Sequence, residues 1–168
     1  MPDKETLERA KEDAREGKAP STQAGEFVKE EMDHIREGKH GAASTKQAIA
    51  IGLSKARRAG VKLPPPKKGT SSAATRKKAA SDTRKAKSPA KKASAKRSRA
   101  TTNALKREGR SAASHRSLSK QARDSARQRG STARKQAAQK AVRTKDAAGR
   151  RRAAKKAART RQGSSRIA

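Results

Sequence analysis

The 168-residue sequence contains no cysteine, tryptophan or tyrosine and a single phenylalanine, Phe27. The absence of cysteine excludes disulfide bonds, thiolate nucleophiles and zinc sites with sulfur ligands. The near absence of aromatic side chains argues against recognition of RNA or single strands by base stacking. No apolar run approaches the roughly 18 residues of a membrane span, and the N-terminus lacks the features of a secretory signal. We therefore expect a cytoplasmic protein without membrane association.

Large apolar residues are also scarce, because leucine, isoleucine, valine and phenylalanine together supply 13 of the 168 residues. This share lies far below the roughly 20% under which a highly charged chain is typically disordered. Most of the hydrophobic content is alanine, which favours helices but buries little surface. The sequence therefore predicts an all-α protein whose ordered part is small.

Acidic residues are few and lie mainly at one end of the chain. The 47 lysine and arginine residues outnumber the 15 aspartate and glutamate residues, giving a net charge of +32. Residues 1–60 carry 12 basic and 11 acidic side chains, whereas residues 61–168 carry 35 and 4. The positive charge is thus a property of the C-terminal two thirds, and it predicts a polyanionic partner.

The segment rich in apolar residues and the strongly basic segment meet at Leu63–Pro66, where three prolines follow the clustered apolar residues. Such a step separates an ordered segment from the remainder of a chain. We predict a charged N-terminal helix in residues 1–20, a small αα-hairpin in residues 21–63, and a largely disordered polybasic tail in residues 64–168. Residues 67–101 contain no large apolar side chain, so we expect them to be disordered when free. The alanine-rich parts of the tail are expected to be conditional helices, since like charges three and four residues apart oppose helix formation until anions neutralise them.

The best-defined helix signal lies between Ser44 and Gly60. Ser44 and Gln47 form a capping box at the helix start, and Gly60 suits the left-handed position after the last turn. One face carries Thr45, Ile49, Gly52, Leu53 and Ala56. Ile51 lies about 200° around the helix from Ile49, so it either contacts a second partner or is exposed.

A preceding helix is predicted after Pro20, with Ser21 or Thr22 as its cap and Gly38 as its end. The short connection makes the two helices neighbours with their apolar faces together. The expected hairpin core consists of Phe27, Val28, Met32, Ile35, Ile49 and Leu53. A hairpin of about 40 residues is near the lower limit of independent stability, so a homodimer through the hairpin is a further hypothesis, motivated by the misplaced isoleucine.

The N-terminal residues 3–16 predict a helix of mixed charge that ends at Gly17. Leu7 is its single large apolar residue. Without an apolar stripe to bury, the helix is expected to be solvated and marginally stable.

Lysine and arginine recur every two to four residues along the tail, separated by small side chains. This pattern is typical of segments that neutralise phosphates, and no framework holds asparagine or glutamine against base edges. The predicted nucleic-acid-binding residues are Arg76, Lys77, Lys78, Lys91, Lys92, Lys96, Arg97, Arg99, Arg134, Lys135, Arg150, Arg151, Arg152, Lys155, Lys156, Arg159 and Arg161.

Two stretches resemble known families. Ser88–Lys92, which reads Ser-Pro-Ala-Lys-Lys, resembles the repeats in linker-histone tails, and the composition of the whole tail is similar to the linker-histone-type tails of some bacterial nucleoid proteins. The segment from Glu31 to Gly41, leading into Ser44–Arg57, resembles a family of small bacterial basic proteins, some of which carry the name plasmid stabilisation protein. This resemblance implies a bacterial, cytoplasmic, DNA-associated role and supplies no catalytic residues.

His34 and His40 suggest a metal site, with Glu30 or Glu37 one helical turn from His34. The sequence has no HExxH motif or other set of three ligands, and His115 stands alone, so the histidines are interpreted as surface residues. No Ser/His/Asp order or glycine-rich phosphate loop is present, and the small core offers little to preorganise a catalytic site. We predict no metal, no cofactor and no enzymatic activity.

The function predicted from the sequence is nonspecific duplex-DNA binding by a nucleoid-associated, histone-like protein, with a role in plasmid maintenance. Phosphate neutralisation by the tail would drive binding, followed by bridging if the hairpin dimerises. One alternative is an RNA- or ribosome-associated basic protein. Another is a protein-interaction module of a plasmid stabilisation system, with the tail as its nucleic-acid tether. The sequence leaves open DNA or RNA preference, base preference, oligomeric state, phosphorylation, and whether the Ser44–Gly60 helix contacts nucleic acid.

Overall fold

The computed structural model describes residues 2–86 and 94–144, together with Gly149, Arg151, Ala154, Lys155 and Ala158. This part of the chain is helical and contains no β-strand, which confirms the all-α prediction. The helices are α1 (Lys4–Arg15), α2 (Pro20–Arg36), α3 (Thr45–Arg58), α4 (Ala73–Ala86), α5 (Ala95–Arg107), a 3₁₀ helix (Ser111–Ala113), α6 (His115–Gln128) and α7 (Gly130–Thr144). The described residues fall into two compact units, one within residues 1–121 and the other within residues 122–168. Within the described residues, every helix is too short or too polar to span a bilayer.

The ends of α2 and α3 follow local signals in the sequence. Ser44 is the N-cap of α3, and its hydroxyl accepts a hydrogen bond from Gln47 N–H at 3.2 Å, as the capping box predicts. The Gln47 side chain accepts from Ala43 N–H at 2.9 Å, one residue before Ser44 N–H, the donor that a capping box predicts. Gly38 and Gly60 follow the two helices with φ of +79° and +96°, a conformation that glycine adopts without steric cost. The predicted ends of both helices are therefore confirmed.

The start of α2 differs from the prediction. The helix begins at Pro20 itself, with Ala19 as its N-cap, so Ser21 and Thr22 lie inside the first turn. Proline is well suited to the first helical position, because the N–H it lacks would have no partner within the helix. The predicted caps are therefore wrong by two or three residues.

Helices α2 and α3 pack against each other, and their backbones approach closely at Gly52. A Cβ added at Gly52 would lie 2.7 Å from Val28 Cα, so a side chain there would push the helices apart. The buried side chains form two clusters, in which three of the six residues expected for the core are buried and against which the other three pack. The Ile35 cluster contains Met32, Ile35, Ala42, Ala48, Ala112 and Ala113, with Val28, Ile49 and Leu118 packed against it. The Phe27 cluster contains Ala10, Ala24, Phe27, Ala56 and Val61, with Leu7, Leu53 and Leu63 packed against it.

Helix α1 packs against α2, although the sequence predicted a solvated helix. Thr6 and Ala10 are buried, and Leu7 packs against the Phe27 cluster. Arg9 Nε donates to Glu26 Oε2 at 2.7 Å and so joins the two helices. The prediction was wrong because small side chains and an ion pair replace the apolar stripe that usually marks a docked helix.

Helix α4 lies in the segment 67–101, which was expected to be disordered in the free chain, and it contacts α3. Asp82 is 1% exposed and accepts hydrogen bonds from Ser54 Oγ at 2.7 Å and from Arg58 Nε at 2.9 Å. Ile51 precedes these two residues by three and seven positions, so it shares the face of α3 toward α4 and is partly buried. A partner within the same chain thus accounts for Ile51, and the reason for expecting a dimer no longer holds.

The chain between α5 and α6, part of the predicted tail, docks on the connection between α2 and α3. Gly41 N–H donates to Leu105 O at 2.9 Å, and Thr45 Oγ1 donates to Ala112 O at 2.7 Å. Ala112 and Ala113 are 4% and 0% exposed in the Ile35 cluster. The predicted boundary after residue 63 was based on the distribution of large apolar residues. It did not include this contact, because Ala112 and Ala113 are buried on account of their small size.

Candidate functional site

The basic residues predicted to bind nucleic acid are distributed over separate helices. On α4, Arg76 is partly buried, whereas Lys77 and Lys78 are exposed. The other described members are exposed, namely Lys96, Arg97 and Arg99 on α5, Arg134 and Lys135 on α7, and Arg151 and Lys155. Outside the described residues lie Lys91, Lys92, Arg150, Arg152, Lys156, Arg159 and Arg161, and with them the Ser88–Lys92 motif. The predicted residues thus form no single pocket among the described residues.

Helix α5 carries five basic and no acidic residues, and none of its residues is buried. Two of these cations, Lys106 and Arg107, were not among the residues selected from the sequence. Lys96, Arg99 and Lys106 share one face, because they recur at i, i+3 and i+10. Within residues 2–86 and 94–144, no carboxylate forms an ion pair with a cation of α5. The helix thus presents a row of cations that the described fold does not neutralise.

Many cations of residues 1–60, in contrast, are used inside the fold. Those within 4 Å of a carboxylate are Arg9, Lys18, Arg36, Lys39, Lys55 and Arg58. Arg57 is 7% exposed and donates to the carbonyl oxygens of Leu63 and Pro64, each at 3.3 Å. Burial lowers the pKa of the Arg57 guanidinium from its usual value. These basic residues have carboxylate or carbonyl partners within the fold, which distinguishes them from the cations of α5.

A second candidate site, the histidine cluster, consists of Glu31, His34 and His40 at the end of α2. Glu31 is 1% exposed, and the side chains of His34 and His40 are 13% and 16% exposed. His40 Nε2 lies 3.2 Å from Glu31 Oε1, and the two imidazole rings meet edge to face with their centroids 6.2 Å apart. One potential ligand atom from each residue lies within 4.8 Å of the others. The fold thus brings together three potential ligands that form no motif in the sequence, and the two histidines are partly buried.

The turn after α2 brings His40 back beside the helix. Gly38 N–H and Lys39 N–H donate to the last carbonyl oxygens of α2 at 3.2 and 3.0 Å, which closes a Schellman motif. His40 follows this turn, nine residues after Glu31 in the sequence. Helical spacing relates residues three or four positions apart, so it cannot place His40. From the sequence, only the Glu-x-x-His spacing of Glu31 and His34 could have indicated the cluster.

Lys55 and two further carboxylates border the histidine cluster. Lys55 Nζ, on α3, lies 2.7 Å from Glu31 Oε2 and 3.0 Å from Glu30 Oε1. His34 Nε2 lies 3.1 Å from Asp3 Oδ2, so the start of α1 also reaches the cluster. Burial by itself would raise the pKa of Glu30, but hydrogen bonds, with that of Lys55 the strongest, hold it below its usual value. Burial would lower the pKa of Lys55, and its contacts with the carboxylates of both glutamates raise it instead.

Comparison with known proteins gives one family. Residues 20–68 are similar to a family of unknown function, DUF6496. No curated protein and no solved structure matches the chain. The matched segment contains α2, the histidine cluster, Lys55 and α3, and it ends before α4 and α5.

Proposed function

We propose that this protein binds duplex DNA without sequence preference, as a nucleoid-associated, histone-like protein of the cytoplasm. The observation that carries the proposal is α5, with five basic residues, no acidic residue and no buried residue. The use of cations in residues 1–60 for internal contacts supports the same division of roles. The basic C-terminal two thirds would bind DNA, while α1 to α3 form the scaffold.

Phosphate neutralisation is the proposed mechanism. Each cation placed against a phosphate releases condensed counterions, so binding weakens steeply as salt is added. Lys96 and Lys106 lie at the two ends of one face of α5, about 15 Å apart at 1.5 Å per residue. A row of this length would meet several phosphates, because duplex DNA carries one charge per about 1.7 Å of its axis. Contacts of this kind position a protein on the duplex without reading its sequence.

The proposal extends to the conformation of the basic tail. Outside α4 and the docked segment between α5 and α6, we expect residues 64–168 to be largely disordered in the free chain, around the helical hairpin of residues 21–63. Phosphates would screen like charges such as Lys96 and Arg99, three residues apart, and α5 would form on binding. Circular dichroism should therefore show an increase in helix when a short duplex is added. A spectrum that stays unchanged would mean that the helices form without DNA.

Two variants of equal charge test the role of α5. The first replaces its five cations with glutamine at Lys96, Arg97, Arg99, Lys106 and Arg107. The second replaces five exposed cations of residues 1–60 with glutamine at Lys4, Lys11, Arg15, Lys29 and Lys46. Both variants lower the net charge by the same amount, so any difference between them reports the position of the charges.

Affinity for a fluorescent duplex would be measured at several salt concentrations. We expect the α5 variant to reduce the slope of log affinity against log salt by up to about 4.5, since each of five phosphate contacts contributes about 0.9. The second variant should keep a slope close to that of the wild type. Equal reductions would show that only total charge matters, and an unchanged α5 variant would exclude α5 as the interface.

The same assay distinguishes the alternative functions. Structured RNA that stays bound at a salt concentration releasing the duplex would favour an RNA- or ribosome-associated protein. A specific protein partner retained by both variants would favour an interaction module of a plasmid stabilisation system. Bridging by a homodimer would require that the protein forms dimers. Sedimentation should then give a molecular mass that falls from the dimer to the monomer value on dilution.

A further inference from the structure

We propose that Glu31, His34 and His40 bind a divalent transition-metal ion of the zinc type. Two imidazoles and a carboxylate are a common ligand set for zinc, with bonds of about 2.0–2.2 Å. The ligand atoms lie within 4.8 Å of one another, so side-chain rotations can place them around one ion. His40 Nε2 and Glu31 Oε1 are 3.2 Å apart, near the separation of about 3.3 Å between two ligands of a tetrahedral zinc ion. The site is independent of the DNA-binding proposal.

Both ring nitrogens of His40 face oxygen atoms that only accept, which favours a cation at Nε2. Nδ1 lies 3.0 Å from Gly41 O, and Nε2 lies 3.2 Å from Glu31 Oε1. The carbonyl and the ionised carboxylate only accept hydrogen bonds, whereas a neutral imidazole has a single N–H to donate. When Nδ1–H donates to Gly41 O, the Nε2 lone pair faces the carboxylate, and a second proton or a metal ion must separate them. A backbone carbonyl that fixes the tautomer in this way is a usual neighbour of a metal-binding histidine.

Lys55 holds the Glu31 carboxylate in a suitable orientation. Its Nζ lies 2.7 Å from Glu31 Oε2, as an ion pair rather than an aligned hydrogen bond, and this leaves Oε1 directed to His40. Glu30 and Glu31 are 5% and 1% exposed and share this lysine. Buried charge without full compensation is costly, so a cation at Oε1 would supply the missing positive charge.

The surface depression beside His34 is acidic, in spite of the net charge of +32. Five carboxylates and three cations line it. The carboxylates belong to Asp3, Glu5, Glu30, Asp33 and Glu37. Asp3 and Glu30 also form, with His34, a second set of ligand atoms within 4.8 Å. Carboxylate oxygens are therefore available close to His34, although Glu5, Asp33, Glu37 and Glu30 also lie within 4 Å of a basic side chain.

A bound ion would join the end of α2 to the turn that carries His40. Gly41 follows His40 and donates its N–H to Leu105 O, which docks the chain between α5 and α6. By fixing the turn at His40, the ion would also stabilise this docked position. Binding to the folded state alone raises its apparent stability. We expect saturating zinc to raise the Tm by about 4–8 °C.

Cobalt(II) provides the direct probe, because its visible absorption distinguishes a tetrahedral protein site from the octahedral aqueous ion. The full chain, freed of nucleic acid, would be titrated with cobalt and then with zinc as a competitor. We expect a tetrahedral spectrum at one ion per chain, and an affinity at least about 10-fold weaker in His40→Gln and Glu31→Gln. His115→Gln is the matched control, since this exposed histidine lies outside the cluster and its loss should leave the titration unchanged.

The proposal is overturned if cobalt stays octahedral with the wild-type chain, or if His40→Gln binds as tightly as the control. Circular dichroism would show whether each variant retains its helices. If a variant does not fold, nitrogen NMR of the wild-type imidazoles decides the question. Zinc should shift the ring nitrogens of His34 and His40 and leave those of His115 in place, whereas shifts confined to His115, or none, would overturn the site.

Discussion

Arg58 Nε lies 2.9 Å from Asp82 Oδ1, so a cation at the end of α3 holds the buried carboxylate of α4. Ser54 Oγ donates to the other oxygen of the same carboxylate at 2.7 Å. We expect Asp82→Asn to lower the free energy of unfolding by about 1–3 kcal/mol at pH 7, because it removes the charge of a buried carboxylate that accepts two partly buried hydrogen bonds. Urea denaturation of the full chain, followed by circular dichroism, measures the change. Asp124→Asn on α6 removes the same charge and should have little effect.

The contribution of Asp82 should depend on pH. Burial by itself would raise the pKa of Asp82, but hydrogen bonds from Ser54 and Arg58 hold it below its usual value. A carboxyl whose pKa is lowered by folding stabilises the protein above the unfolded pKa of about 3.9 and loses that contribution as the pH falls through the folded pKa. The difference in stability between wild type and Asp82→Asn should therefore be largest near neutral pH and disappear in acid. A difference that grows toward low pH would contradict the ion pair.

Two glycines in α2 and α3 should respond to alanine in opposite directions. A Cβ at Gly52 would lie 2.7 Å from Val28 Cα, so Gly52→Ala should destabilise the protein by about 1–3 kcal/mol. A Cβ at Gly25 meets no atom within 4 Å, so Gly25→Ala should stabilise it by about 0.5–1 kcal/mol through the higher helix propensity of alanine. Thermal unfolding of both variants tests the pair, and a gain from Gly52→Ala would show that α2 and α3 do not approach as described.

The docking of the chain between α5 and α6 depends on the small size of Ala113. Because Ala113 is 0% exposed, Ala113→Leu should overpack the Ile35 cluster and cost about 1–3 kcal/mol. The amide protons of Gly41 and Ala42, which donate to Leu105 O and Gly109 O, should then exchange faster with solvent. Ala104→Leu on the exposed surface of α5 is the control and should leave these amides unchanged. Equal exchange in both variants would indicate that the segment is not docked.

Lys55 is the cation shared by two buried glutamates. Lys55→Met should lower the free energy of unfolding by about 3 kcal/mol at neutral pH, because Glu30 and Glu31 would be left without their counter-charge. Lys46→Met, on the exposed surface of α3, should change it by less than about 0.5 kcal/mol. Chemical denaturation distinguishes the two outcomes. If Lys55→Met is as stable as Lys46→Met, the glutamates are compensated by another group.

The sequence by itself determined the helix class, the ends at Gly38 and Gly60, the cap at Ser44 and the uneven distribution of charge. These features are local or additive: capping involves residues three or four positions apart, and net charge is a sum over the chain. The apolar faces of α2 and α3 followed from helical periodicity for the same reason.

The tertiary structure alone decided which side chains meet across helices. His40 reaches Glu31 through a turn whose direction no helical spacing encodes, and Ala113 is buried because a small side chain fits between neighbouring helices. Arg58 likewise contacts Asp82, 24 residues away in the sequence. Such contacts depend on shape and on the relative position of helices, which are set by packing of the whole unit and not by any one segment.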